Sequence, residues 1–176
     1  MDQLKSSIHQ LIVQTSTNLP PDVRAAMTTA LEREAPGTQA LPALNVIATN
    51  IDMAATGEGA ICQDTGTPIF YVRHPTGWST LKLKQQIRNA LAEATKKSYM
   101  RPNAVDAVSD KNTGNNLGGD DFPSIHFEEI EGSDLVMEVL LKGGGCENVG
   151  AQYSLPDGRL GAGRDAELLP ARPAER

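Results

Sequence analysis

Residues 4–55 carry an apolar residue at every third or fourth position, which is the spacing of amphipathic helices. The pattern predicts three successive helices over residues 4–15, 20–35 and 38–55. Two adjacent prolines suit the first turn of the second helix, and Thr38 is placed to cap the third. The predicted apolar stripes comprise Leu4, Ile8, Leu11 and Ile12; Val23, Ala26, Met27, Ala30 and Leu31; and Leu41, Leu44, Ile47, Ala48 and Ile51. A helical group therefore precedes any strand.

The pattern changes after the third helix. Residues 56–66 are rich in glycine and polar residues, and they predict a loop that leads into a short strand over residues 68–73. Ser79 predicts the cap of a fourth helix. The apolar face of this helix comprises Leu83, Ile87, Ala90, Leu91 and Ala94.

Alternation of apolar and polar residues marks the later part of the chain. Residues 125–128 alternate, and after a turn at residues 131–134 the alternation resumes over residues 135–141, which predicts a β-hairpin. The polar stretch over residues 101–123 is too long for a plain connection, so we expect it to be functional or mobile. The pattern predicts an α/β fold, in which an N-terminal helical group is followed by a mixed sheet with an intervening helix and a β-hairpin.

Composition and charge exclude several classes of protein. The chain has 176 residues, enough for one domain with a core, and its net charge of −6 argues against a nucleic-acid surface. No apolar stretch approaches the roughly 18 residues of a membrane helix, and the N-terminus lacks a signal-peptide layout. Two cysteines are too few for a secreted disulfide scaffold. We expect a cytoplasmic protein without nucleic-acid or membrane partners. The basic residues that cluster are expected to form a solvated helix face: Lys84, Arg88, Lys96 and Lys97.

The first chemical motif is the run CQDTGT at residues 62–67. It places a thiol, an amide, a carboxylate and a hydroxyl in a loop directly before a strand, where functional sites are often built. A buried cysteine beside an Asp-Thr-Gly turn is an equally simple interpretation. An aspartic protease is disfavoured because that chemistry needs two apposed carboxylates and the chain has one such triplet.

Two further segments carry candidate chemistry. The run KGGGCEN at residues 142–148 exposes backbone N–H groups, as an anion-binding nest does, but it lacks the Walker pattern because the lysine precedes the glycines. Arg101 and the run KNTGNN at residues 111–116 offer a planar cation and several amides to a carboxylate-bearing ligand. A solvated loop with Asn and Gly turns remains the alternative for this second segment.

Taken together, the runs at residues 61–67, 111–116 and 142–148 resemble the class I iron-sulfur fumarases. The similarity is to the α subunit, or N-terminal catalytic half, of the fumarate and tartrate hydro-lyases, and it extends over residues 4–160. The resemblance implies a 4Fe-4S cluster that is held by cysteine thiolates, with one iron open to bind substrate as a Lewis acid. By the same resemblance, Cys62 and Cys146 are the cluster ligands present in this chain.

The resemblance also implies the roles of residues around the cluster. Asp64 is expected to transfer the proton during addition or removal of water. The expected substrate-binding residues are Gln63, Arg101, Gly114 and Lys142, with Arg101 holding a substrate carboxylate. The substrate would be a small dicarboxylate, fumarate/malate or tartrate.

The chain departs from the family pattern in one respect. Family α subunits carry a third cysteine further along, and this sequence has only two. We therefore expect an incomplete catalyst that needs the β subunit or C-terminal half of the enzyme and forms a homo-oligomer. Residues 1–160 are predicted to be the hydro-lyase domain and residues 161–176 a divergent, disordered tail. Two alternatives remain open, a non-catalytic remnant or interaction domain that keeps the fold, and an anion-binding module.

Overall fold

The computed structural model describes residues 2–57, 59–62, 64, 66–106, 108–119 and 121–144. Its helices and strands are α1 (Asp2–Thr17), α2 (Pro21–Arg33), α3 (Ala40–Ala55), β1 (Thr67–Pro75), α4 (Thr80–Lys96), β2 (Ser124–Ile130) and β3 (Val136–Lys142). Three helices precede a mixed three-stranded sheet, so the predicted α/β class is confirmed. The predicted tail, residues 161–176, lies outside the described residues.

Both predicted capping side chains contact a first helical turn, although the N-cap position of α3 is Gln39 and not the predicted Thr38. The hydroxyl of Thr38 accepts a hydrogen bond from the Leu41 N–H at 3.3 Å, just ahead of α3. The hydroxyl of Ser79 accepts one from the Lys82 N–H at 3.3 Å, at the start of α4. Both contacts satisfy backbone donors of a first helical turn, which have no partner within the helix.

The sheet order is β2-β1-β3, so the predicted β-hairpin is wrong. β2 runs parallel to β1 and β3 runs antiparallel to it, on the opposite edge. Ile130 pairs with Pro75 on one edge and Val136 pairs with Arg73 on the other. The link between β2 and β3 therefore passes the end of β1, a crossing of about 10 Å that five residues span easily. Alternation predicts that a segment is a strand, but it does not select the neighbour with which the strand pairs.

The core lies between one face of the sheet and the helices α1 and α4. Phe70 and Val72 of β1 are buried on this face, opposite Val139 and Met137 of β3. The predicted apolar face of α4 is buried along its whole length. Helix α1 adds two isoleucines to the same cluster, Ile8 and Ile12. The loops at the ends of the strands are thus attached to a packed scaffold.

Helices α2 and α3 form a separate hairpin that packs mainly on itself. α2 has no buried residue, and α3 buries only Ile51 and Ala54. The predicted stripe of α3 is corrected at Ile47, which is 46% exposed. The periodicity is genuine, but neither helix lies against the sheet, so apart from Ile51 and Ala54 the apolar residues of both helices are half-buried or exposed. None of the helices in the described part of the chain is long and apolar enough to cross a membrane.

Two residues of the predicted solvated basic face have structural contacts, Arg88 and Lys97, and Lys97 pairs with Glu93 at 2.9 Å. The Arg88 guanidinium of α4 donates hydrogen bonds to the carbonyls of Phe122 at 2.7 Å and Gly119 at 3.2 Å. Several carbonyls that converge on one guanidinium fix the backbone that carries them. Arg88 therefore attaches the last part of the long polar stretch to the helical layer.

Candidate functional site

Three sequence motifs converge at one end of the sheet. Thr67, the first residue of β1, pairs with Lys142, the last residue of antiparallel β3. The loop that carries Cys62 enters β1 at this end, and the glycine loop leaves β3 there. β2 is parallel to β1 and begins opposite Ile69, so the polar stretch that precedes β2 enters the sheet at the same end. Loop ends that meet on a rigid sheet are a common location for functional sites.

The Cys62 loop is anchored on the residue that precedes the cysteine. The Ile61 N–H donates to the Ser16 carbonyl of α1 at 2.9 Å. The Ile61 carbonyl accepts a hydrogen bond from the Asn50 side chain of α3 at 2.6 Å. Cys62 therefore directly follows an anchored residue, and the loop joins the sheet where β1 begins at Thr67.

Asp64 connects the Cys62 loop to the glycine loop. Its N–H donates to the Cys62 sulfur at 3.4 Å, and its Oδ1 accepts the N–H of Gly144 at 3.1 Å. Cys62 and Asp64 are both exposed. A thiol and a carboxylate are thereby presented side by side to solvent.

Gly143 makes the closest approach between these two loops. A Cβ added at this position would lie 2.7 Å from the carbonyl oxygen of Asp64 and 2.8 Å from the side-chain Cγ of Asp64. These separations are shorter than non-bonded atoms allow, so a residue with a side chain would displace Asp64. Among the residues that the structure describes, none comes within 4 Å of a Cβ added at the neighbouring Gly144. Gly143 is therefore a position where a side chain cannot be added without moving Asp64.

The segment over residues 101–116 folds back on itself. Val105 and Asn112 form an isolated β-bridge, and the Thr113 N–H donates to the Ala104 carbonyl at 2.9 Å. The turn between them is closed by Asp106, which accepts hydrogen bonds from the backbone N–H and the hydroxyl of Ser109. These bonds to Ser109, followed by one from the Val108 N–H, hold the pKa of Asp106 below its usual value. The described residues of this stretch thus form a hydrogen-bonded loop.

Two predicted site residues lie on this loop. Arg101 is exposed at its start. Gly114 is exposed near its end with a φ of +74°, a conformation that glycine adopts without strain, and its N–H donates to the Asn112 side chain at 2.7 Å. The Asn112 amide also donates to the Pro102 carbonyl at 2.7 Å, which brings Gly114 near the residue after Arg101.

The same loop contacts the Cys62 loop through Gly66. Gly66 is buried, and a Cβ added there would overlap the Asn103 side chain. Two of the three converging segments therefore touch directly at Gly66 and Asn103, while Asp64 and Gly144 join the first segment to the third.

The remaining predicted site residues divide into two groups. Lys142 is half-buried at the end of β3, with its Nζ 3.5 Å from the Gly143 carbonyl. Gln63 and Cys146 lie outside the described residues. Within the described ranges, no three His, Cys, Asp or Glu side chains are grouped as a metal site.

Sequence reasoning missed Asn103 and Asn116. Asn116 is fully buried and its side chain bonds the backbone of the Arg101–Ala104 segment. Its only sequence signal is the KNTGNN run, in which nothing distinguishes the buried Asn116 from the exposed Asn115. Asn103 has no signal beyond its proximity to Arg101.

Comparison with known proteins gives one consistent result. Residues 5–166 match the family described as fumarate hydratase (Fumerase). A Geobacillus stearothermophilus protein, provisionally named class I fumarate hydratase, is 45% identical over 170 residues, 95% of this chain and 33% of the relative.

Two more distant relatives bear a different name. The L(+)-tartrate dehydratase subunit alpha of Escherichia coli is 28% identical over 148 residues, 83% of this chain and 48% of the relative. A Methanocaldococcus jannaschii protein, provisionally given the same name, is 26% identical over 153 residues, 85% of this chain and 53% of the relative.

The chain thus spans about a third of the length of the first relative and about half that of the others. The relatives are named for reactions of lyases, as the three motifs predicted. The match over most of its length shows that this chain belongs to the fumarate hydratase (Fumerase) family.

Proposed function

We propose that this chain forms part of a hydro-lyase that interconverts fumarate and malate or removes water from tartrate. The observation that carries the proposal is the position of Asp64, which is hydrogen-bonded to both the Cys62 sulfur and the Gly144 N–H. In this proposal, Asp64 would transfer the proton and the neighbouring Cys62 would bind the metal centre, at an exposed end of the sheet. The names of the relatives supply the two candidate substrates.

Asp64 is the proposed general base and acid. In the dehydration direction it would remove the proton on C3 of a 2-hydroxy diacid, and in the hydration direction it would return that proton. Its Oδ1 is held by the Gly144 N–H, and Gly143 leaves space for the carboxylate to approach the glycine loop. A base held in one orientation loses less entropy when it meets the substrate.

The substrate carboxylates require positive or N–H-rich partners. We propose that Arg101 binds one carboxylate through its guanidinium, which suits two parallel hydrogen bonds. Gln63 and Gly114 are the proposed polar contacts to the rest of the substrate, and Lys142 supplies positive charge at the end of β3. A small dicarboxylate matches this set because it carries two anionic ends.

The proposed cofactor is a 4Fe-4S cluster. When bound, it would supply a Lewis acid that polarises the C2 hydroxyl as this group leaves. Cys62 fits one ligand position, because its sulfur is exposed and accepts a backbone N–H, as ligand sulfurs in such clusters do. Cys146 is the second proposed ligand.

Further ligands and binding groups would come from outside this chain. The relatives extend well beyond the region that the chain matches, and the Escherichia coli relative is named as a subunit alpha. We therefore propose that a C-terminal half or a β subunit completes the site, within a homo-oligomer.

The two cysteines of the sequence favour one other candidate, a family domain that keeps the fold without catalysis. A chimera in which this chain replaces the matching region of the Geobacillus relative separates the two functions. After anaerobic reconstitution with iron and sulfide, we expect conversion of fumarate to malate or of tartrate to oxaloacetate. A folded chimera that binds iron but converts neither substrate would favour the non-catalytic domain.

The matched variants are Cys62→Ser and Asn89→Ala. Asn89 is exposed on α4, away from the converging loops, so Asn89→Ala should keep the activity. Cys62→Ser should lose both cluster and activity, because serine is a poor ligand for an iron-sulfur cluster. Full activity in Cys62→Ser would contradict the proposed role of this thiol.

A further inference from the structure

We propose that Asn116 is a positioning residue of this site, which holds the segment that carries Arg101 against the loop that carries Cys62 and Asp64. The inference rests on the proposed function for its catalytic consequence, and on the geometry alone for the coupling between the two loops.

The carboxamide of Asn116 uses its full hydrogen-bonding capacity inside the protein. The side chain is 0% exposed. Its oxygen accepts the N–H of Asn103 at 2.7 Å and that of Ala104 at 3.2 Å. Its nitrogen donates to the Arg101 carbonyl at 2.7 Å and to the Thr95 hydroxyl at 3.3 Å. A carboxamide has two acceptor and two donor positions, and all four are used here. A substitution that leaves one of these buried partner groups without a hydrogen bond should therefore destabilise the fold.

The network is tied to the helical layer. The Thr95 hydroxyl that receives the Asn116 donor itself donates to the Leu91 carbonyl of α4, at 2.9 Å. Leu91 and Thr95 are both buried. Asn116 therefore connects the Arg101 segment to a core helix, whereas Asn112 and Thr113 bond the same segment only within the loop.

The backbone of Asn116 also favours asparagine. Its φ is +56°, in the left-handed region where asparagine and aspartate are the best-tolerated residues other than glycine. Aspartate would keep the conformation but lose both donors and face the Arg101 carbonyl with a carboxylate. Glutamine would keep the functional groups but displace them by one methylene. Neither replacement reproduces the observed contacts.

Asn103 links the hydrogen bonds of Asn116 to the Cys62 loop. Its N–H is held by Asn116, and its side chain occupies the space that a Cβ of Gly66 would need. Gly66 is buried and directly precedes β1, two residues after Asp64. A shift of Asn103 therefore presses on or releases the loop that presents Asp64 and Cys62.

The test compares Asn116→Asp with the Asn89→Ala control. In the full chain, the amide resonance of Gly66 in the ¹⁵N–¹H spectrum should move in Asn116→Asp and stay in the control, while resonances of the buried β1 residues Phe70 and Val72 stay in both. In the chimera, Asn116→Asp should raise KM about tenfold with a smaller effect on kcat, because a displaced Arg101 binds substrate less well.

Each outcome decides the inference. If Asn116→Asp leaves KM unchanged and lowers kcat only as far as the folded fraction of the chimera falls, the role of Asn116 is purely structural. That result would overturn the proposed positioning role. An unmoved Gly66 resonance would overturn the coupling between the loops. If the unaltered chimera converts neither fumarate nor tartrate, the proposed function fails, and the Gly66 resonance still decides the coupling on its own.

A second set of variants tests the contact without changing Asn116. Gly66→Ala should shift the Asp64 and Cys62 resonances, and adding Asn103→Gly should restore them because it removes the overlapping side chain. Adding Asn103→Ala should not restore them, since the Asn103 Cβ is among the overlapping atoms. Gly119→Ala, where a Cβ meets open space, is the matched control. Restoration by Asn103→Ala as complete as that by Asn103→Gly would contradict the contact.

Discussion

The carboxylate of Asp64 accepts the N–H of Gly144 across 80 positions of sequence, at 3.1 Å. This hydrogen bond joins the loop before β1 to the loop after β3, and the Thr67–Lys142 strand pair brings both loops to the same end of the sheet. The sheet pairing thus determines which chemical groups meet. The close approach of Gly143 to Asp64 makes the two neighbouring glycines unequal, which leads to the first prediction.

Gly143→Ala should impair the site and Gly144→Ala should not. The new Cβ at Gly143 would overlap Asp64, whereas the one at Gly144 meets open space and leaves its N–H in place. We expect kcat of the reconstituted chimera to fall about 100-fold in Gly143→Ala, because small displacements of catalytic groups have effects of this size. Equal activity in the two variants would contradict the close approach of Gly143 to Asp64.

Asp64→Asn tests the proposed proton transfer. Asparagine keeps an oxygen that can accept the Gly144 N–H but loses the carboxylate, so binding should persist while chemistry slows. We expect kcat to fall about 100- to 10,000-fold, the range for removal of a general base. Steady-state rates at saturating substrate measure this, with Asp22→Asn on the exposed first turn of α2 as the control. A kcat within a factor of two of the unaltered enzyme would rule out this role.

The ion pair between α1 and α4 should make stability depend on pH. Hydrogen bonds from Lys5 and then Lys97 lower the pKa of Glu93 from 4.5 to about 2. Because the pKa is lowered on folding, Glu93 stabilises the fold fully above pH 4.5, and the contribution is lost as the pH falls toward 2.

The variant Glu93→Gln should therefore lower Tm at pH 7, and the difference from the unaltered chain should shrink between pH 4.5 and 2. Thermal unfolding followed by circular dichroism measures both. Glu131→Gln, in the exposed turn after β2, should show a smaller difference at pH 7. A Glu93→Gln difference that grows as the pH falls would contradict the assigned sign.

The buried face of α4 should account for much of the stability. Ile87 is 0% exposed, and Leu81 on the same helix is 76% exposed. Ile87→Ala should lower the free energy of unfolding by about 2–5 kcal/mol, and Leu81→Ala should change it by less than about 0.5 kcal/mol. Urea unfolding of both variants measures the difference. Equal losses of unfolding free energy in the two variants would show that another face of α4 lies against the core.

The sequence predicts the elements of this fold better than their pairing. The apolar face of α4 was predicted correctly because its residues share one buried cluster with residues of α1 and β1. The strand that pairs with β3 was predicted wrongly, because the alternation along residues 135–141 is the same whether β3 pairs with β2 or with β1. The exposure of Ile47 could not be predicted either, because periodicity does not show what lies opposite a helix.

The candidate site, like the fold, was predictable from the sequence only in part. The motifs around Cys62 and Lys142 were recognisable because each run combines a cysteine with glycine and polar residues in the order that the family shows. The structure brings Thr67 opposite Lys142 and Asp64 beside Gly144. Asn116 could not be selected, because its role depends on backbone groups of residues 101–104 that only the folded loop brings to it. The roles of Asp64, Arg101 and the cysteines stay predictions until they are measured.

The most direct test of the account is the iron-sulfur content of the chimera after anaerobic reconstitution, with and without Cys62→Ser. The account predicts a stable cluster, seen by visible absorption and by iron analysis, that is present in the unaltered chimera and absent from the folded Cys62→Ser variant. A cluster of equal iron content and stability in Cys62→Ser would contradict the claim that Cys62, on the loop that carries Asp64, binds the metal centre.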